Sequence, residues 1–286
     1  MPLEQTALAQ TVDPKRRTAL FARYSLTGTF VAAIGTLAAA IPELAAAHLG
    51  IPLLSMLQVM FGVYGAIGIT AFLLYRRLTP AVEAPTVAPQ AALHRSRRIV
   101  YGLAALFSLD SFGGGFVVQS LVALWLFQNF GLSVTTTASI LFWASLCAAA
   151  SSLLAVPLAE RIGLIRTMVF THLPANVFLM LVPFAPNLTT AIALLLARSS
   201  LSHMDVPTRN SYVMAVVAPE ERPAAASLTL VPRSFAASLS PMLAGYLLSA
   251  TTFGWPLLIG GALKIVYDLL LLSNFRRVRP PEEAEN

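Results

Sequence analysis

Charged side chains are scarce in this sequence. Asp, Glu, Lys and Arg make up 11% of its 286 residues, where a soluble domain would carry about a quarter. That shortage excludes an ordinary soluble domain. Cysteine is scarcer still. The single Cys147, inside an apolar run, excludes an intramolecular disulfide framework and a multi-cysteine metal site. Also missing are G-x-S-x-G, H-E-x-x-H and the phosphate-cradling G-x-x-x-x-G-K-[ST]. The chain is therefore expected not to be an enzyme, and no metal or cofactor is expected. Any pumping would draw on an ion gradient rather than ATP. The opening "MPLEQTALAQTVDPKRR" lacks the apolar core of a signal peptide.

Apolar residues are abundant, at 57%, and the mean hydropathy is +0.73. About 20 apolar residues cross a bilayer as a helix. Eight stretches fit, at 23–42, 52–75, 99–127, 136–159, 167–185, 188–217, 227–250 and 255–275. None shows the ten-residue alternation of a membrane strand. The expected fold is an all-α integral membrane protein of about eight transmembrane helices, with the lipid bilayer as its solvent.

The net charge of +6 follows from topology rather than from nucleic-acid binding, because the basic residues lie between apolar stretches instead of clustering on a soluble face. Arg76, Arg77, Arg95, Arg97 and Arg98 lie between the second and third stretches, and Arg276 and Arg277 follow the eighth. The loops near 43–51, 128–135, 186–187 and 251–254 carry no Lys or Arg. The positive-inside rule then puts both termini in the cytosol, for a multi-pass protein of the cell membrane. The expected divisions are a cytosolic tail (1–22), a two-helix membrane piece (23–75), a Pro- and Ala-rich cytosolic linker (76–98), a six-helix membrane half (99–275) and a cytosolic tail (276–286).

The first and seventh stretches align without gaps, Arg23 on Arg233, Gly35 on Gly245 and Leu37 on Leu247. The next ones end alike, in "LLYRRL" at 73–78 and "LSNFRRV" at 272–278. The opening pair thus repeats the last two of the six that follow. With "LAERIG" at 158–163 and "PEERPAAAS" at 219–227, the chain resembles the major facilitator superfamily. "LAERIG" is similar to that family's cytosolic loop motif, which implies a latch role for Glu160, Arg161, Gly163 and Arg166. Val156 stands where the motif has its first glycine, and Leu164 and Ile165 where it has two basic residues. The resemblance implies helices five to twelve of a twelve-helix transporter, with the first four apparently absent.

Charges inside a bilayer persist mainly when paired or functional. The stretches contain Asp110, Asp205, Asp268, Arg198, Arg209 and Lys264. Asp110 falls near mid-depth, followed by Gly113, Gly114 and Gly115, which weaken a helix by roughly 1 kcal/mol each. Two roles suit that arrangement: a substrate or proton site beside a pliable backbone, or close helix packing with Asp110 bonded to a neighbour. In "RSSLSHMDVPTR" (198–209), Pro207 crowds the carbonyl of His203 and favours a break. His203 is a candidate proton relay, and Arg198 is a candidate counter-charge or anion contact together with Lys264. Asp205 with Arg209, and Lys264 with Asp268, have the i, i+4 spacing of structural ion pairs. His172 is expected at an interface.

The expected function is secondary active transport of a small organic solute by alternating access, with protons as coupling ion. Efflux falls within the resembled family's breadth. The alternative is a truncated, non-transporting or partner-dependent membrane protein, in which self-association of two copies would supply the missing wall.

Overall fold

The computed structural model describes residues 12, 13, 16–77, 93–276 and 278. Most of the expected tails and of the 76–98 linker lie outside the described residues. The described residues form helices and turns with no strand. The helices are α1 (Arg17–Ala38), α2 (Ile41–Leu49), α3 (Leu53–Tyr75), α4 (Arg97–Gly115), α5 (Gln119–Phe130) and α6 (Val134–Ile162). After these come α7 (Leu164–Leu181), α8 (Leu188–Ser202), α9 (Asp205–Val216), α10 (Arg222–Ala250) and α11 (Trp255–Phe275). This is an all-α integral membrane protein.

Among the described residues, six segments are long and apolar enough to cross a membrane: Arg17–Leu49, Leu53–Tyr75, Arg97–Phe130, Val134–Ile162, Leu164–Phe184 and Trp255–Phe275. The other two expected spans depart from that description for physical reasons. Span 188–217 is broken at His203 and Met204 into α8 and α9, because Pro207, in the first turn of α9, cannot donate a helical bond to the His203 carbonyl. Span 227–250 is contained in α10, whose 29 residues reach about 43 Å; Pro232, Pro241, Arg233 and several serines lower its hydropathy. Span 99–127 is also divided. Val118 adopts an extended conformation with ψ 148° and starts α5 afresh.

Local signals set the other helix ends. Gly131 closes α5 at φ 60°, a left-handed conformation that suits glycine. Ser133 then caps α6 by accepting the Thr136 N–H, and Asn187 caps α8 by accepting that of Thr190.

The packing brings α4 against α10 and α11, α1 against α6 and α9, and α7 against α8, α9 and α11. α3 packs against α2 and buries none of its residues. Its side chains, such as Phe61, Tyr64 and Phe72, face outward, as a bilayer permits. Two apolar cores form. One gathers Leu103, Phe107, Met168, Tyr212 and Leu271; the other gathers Phe116, Leu126, Leu179, Leu195 and Leu257. On α4, Asp110 lies between Phe107 and Phe116; on α7, His172 lies between Met168 and Leu179.

A carboxylate ties the α9–α10 turn to the start of α4. Glu221 Oε1 accepts the backbone N–H groups of His94 (2.8 Å) and Arg95 (2.9 Å), and Oε2 accepts that of Ser96 (2.9 Å). An anion there also suits the positive end of α4. These donors, the His94 N–H foremost, draw the Glu221 carboxyl down to about 2. Its stabilising effect is complete above the unfolded carboxyl value of about 4.3 and is lost as the pH falls through the folded value. Glu221→Gln should thus lower the melting temperature at pH 7 more than Glu220→Gln does. In thermal melts from pH 7 to pH 2, that difference should shrink below about pH 4.

Candidate functional site

Where the two apolar cores meet, charged groups from several helices converge on Asp110, which is 4% exposed. Its Oδ1 accepts Lys264 Nζ from α11 at 2.6 Å, and its Oδ2 accepts an Arg209 guanidinium N–H from α9 at 3.0 Å. Arg209 also lies 3.3 Å from Asp205, one turn earlier on its own helix, and its guanidinium sits 5.4 Å from the centre of the Phe107 ring. On the far side, Asp268 Oδ1 is 2.9 Å from His172 Nδ1, and its Oδ2 accepts Asn176 Nδ2 at 3.2 Å. The other imidazole nitrogen, Nε2, lies 4.0 Å from Asp110 Oδ1. His172 therefore bridges the two carboxylates. Tyr267 packs edge-on against His172 and Phe107, and its buried hydroxyl has no partner among the described residues. Arg233 reaches in from α10 to donate to Ser111 Oγ at 2.8 Å.

Asp110 meets both Lys264 and Arg209, Arg209 also meets Asp205, and Asp268 meets His172. In low dielectric each of these pairings is strong, and removing one partner leaves a buried charge exposed to the full desolvation penalty.

Glycines let the helices come this close. A Cβ on Gly113 would lie 3.1 Å from the Gly260 carbonyl oxygen, and one on Gly115 would lie 2.0 Å from Ser240 Oγ and 2.7 Å from the Ala237 carbonyl oxygen. Gly114 is looser, with Lys264 Cε at 3.7 Å. α4 remains helical through all three, and the break falls at Phe116 to Val118.

The sequence candidates fall into separate groups. Asp110, Lys264, Arg209, Asp205 and Asp268 belong to the cluster. Lys264 turns to Asp110, and Asp268 turns to His172, in place of the expected i, i+4 pair, because partners on other helices lie within bonding distance, at 2.6 Å and 2.9 Å. Arg198 and His203 lie apart from it, lining a cavity of about 520 Å³ between α1, α5, α6 and α8. Pro207 sits in the first turn of α9, just past the break. Glu160, Arg161 and Arg166 flank the α6–α7 turn at Gly163 and are exposed, with no ion pair among the described residues. His172 is corrected. It is 4% exposed and not interfacial, since α7 begins at Leu164 and carries it two turns inward. Asn176 and Tyr267 were not singled out in the sequence. A histidine and an asparagine at i, i+4 in an apolar stretch is the signal that could have found the first.

A bundle of long apolar helices centred on a buried ionic cluster defines an integral membrane protein. Residues 103–286 match the Major Facilitator Superfamily, and the chain belongs to that family of membrane transporters. It is also similar to an uncharacterized membrane protein of Saccharomyces cerevisiae, 24% identical over 178 residues, which is 62% of this chain and 40% of that relative. The chain thus spans less than half the length of that relative.

Two outcomes are expected in chemical or thermal unfolding of the purified protein. Gly115→Ala should cost about 1–3 kcal/mol through overpacking, while Gly114→Ala should have a much smaller effect. Asp110→Asn should cost about 3–5 kcal/mol by stranding Lys264, and adding Lys264→Met should recover a large part, since Arg209 keeps Asp205.

Proposed function

We propose that this chain acts as a secondary active transporter of a small organic solute, working by alternating access with protons as the coupling ion, and without covalent chemistry on its cargo. It would reside in the cell membrane with both termini in the cytosol. The observation that carries the reading is Asp110, a buried carboxylate strapped to α11 through Lys264 and to α9 through Arg209, with His172 between it and Asp268. A change in the charge of the cluster would change which of these straps hold. Because each strap joins different helices, the protonation state biases one helix arrangement over another, which is what coupling requires. Packed cores switch between discrete arrangements rather than deforming continuously.

Proteoliposomes containing a pH-sensitive dye test this reading. A panel of organic acids, sugars and cationic dyes is added outside, and solute uptake and proton movement are recorded together. At least one solute should move protons with it, and Asp110→Asn should reduce that coupled proton movement to the level of empty vesicles. A solute that moves at the wild-type rate through Asp110→Asn, with unchanged proton movement, would overturn the role of the cluster.

A further inference from the structure

The cavity beside the cluster is chemically one-sided. At about 520 Å³ it falls within the roughly 300–1,000 Å³ typical of small-molecule sites. Its polar lining consists of Arg198, His203, Ser199, Gln119, Ser145 and Thr29, and no Asp or Glu is among the described residues around it. Among the described residues, Arg198 makes no ion pair, and its Nε is buried without a hydrogen-bond partner. Ten residues into α8, it lies about 15 Å from that helix's start, too deep to be readily explained by a side chain reaching for the interface. Gln119 is held in place by donating to Ser145 Oγ at 3.0 Å, which leaves its amide oxygen free. Val117, Val122, Ile140 and Leu195 supply apolar wall.

The backbone adds a second positive feature. α5, 12 residues long, begins at the cavity, where Val118 and Gln119 line the wall. No side chain caps it, and the first-turn N–H groups of Gln119 and Ser120 have no partner among the described residues. A helix N-terminus carries partial positive charge, and broken helices in transporters aim such ends at anionic substrate groups.

We propose that this cavity binds an organic anion, a carboxylate on an apolar body, with Arg198 and the first turn of α5 holding the carboxylate and the apolar wall holding the body. A cationic ligand would find no carboxylate partner. A neutral one would leave the Arg198 guanidinium desolvated and unpaired, a costly state that a carboxylate relieves by two parallel hydrogen bonds. The inference names the substrate class of the transport reading above and rests on it for its physiological meaning, although binding itself can be measured alone.

The test is equilibrium binding to the purified full chain in nanodiscs of zwitterionic lipid, without any gradient. The probes are radiolabelled benzoate, 4-phenylbutyrate and palmitate, each beside its neutral amide. At least one carboxylate should bind more tightly than its amide. Arg198→Gln should weaken that carboxylate by about 10- to 100-fold, and Arg198→Lys should restore part of the loss. Circular dichroism of each variant checks that it is folded. If benzoate or 4-phenylbutyrate binds best, the ligand comes from the aqueous phase; if palmitate does, it comes from the bilayer. Carboxylates that bind no better than their amides, or a carboxylate held equally by folded Arg198→Gln, would overturn the inference. A chain that binds carboxylates and transports none would overturn the transport reading alone. Coupled transport of a neutral or cationic solute, unaffected by Arg198→Gln, would overturn this inference alone.

Discussion

The buried carboxylate of Asp110 is the constraint on which the rest of the centre depends. An unpaired charge in a hydrocarbon-like interior is costly, and Asp110 is met by cations brought from elsewhere in the chain. Lys264 and Arg209 come from α11 and α9, which fixes the rotation of both helices about α4. Arg209 in turn engages Asp205, and the imidazole that faces Asp110 is anchored by Asp268 and neighbours Asn176. The small residues follow from the same demand. Lys264 can reach Asp110 directly only where Gly113 and Gly260 allow α4 and α11 to touch backbone to backbone.

Helix breaks create the second feature, the cavity. Continuous helices satisfy their own backbone groups and present only side chains. The interruptions after Gly115 and at His203 expose backbone polar groups, and inside a membrane such irregular backbone is tolerated where it lines a cavity or is covered by protein. Both breaks border the cavity: Val117 and Val118 line it at one and His203 at the other. His203 lies in the two-residue break before the helix that carries Asp205 and Arg209. The cavity and the ionic cluster are therefore joined by a short, broken stretch of one span. At one end of the bundle, Glu221 fixes the α9–α10 turn to the start of α4, which gives these helices a common anchor.

Much of the architecture was legible in the sequence. The long apolar runs, the lack of charge and the "LAERIG" and "PEER" stretches pointed to an all-helical membrane protein of the family that residues 103–286 match. Asp110, Lys264 and Arg209 were visible as charges out of place in apolar runs, and Pro207 marked the neighbourhood of a break. Hydropathy and breakers act locally, so they can be read from one stretch at a time.

Partner choice could not be read that way. Lys264 and Asp268 have ideal spacing for a pair on one helix, yet each bonds across to another, and His172, read as interfacial, became the bridge between two acids. The three glycines suited either a pliable backbone or close packing between helices; Gly113 and Gly115 lie at such contacts, and the break comes just after them. Which face of each helix turns inward depends on packing against helices up to about 150 residues away in the chain, as with Lys264 and Asp110. The sequence by itself determined that the chain is built from long apolar helices and which charges within them needed partners, because transfer from water is a property of each segment. Only the tertiary structure decided which charges neutralise which, and which one, Arg198, is left facing a cavity without an acid, because pairing in low dielectric depends on distances that only the packed helices set.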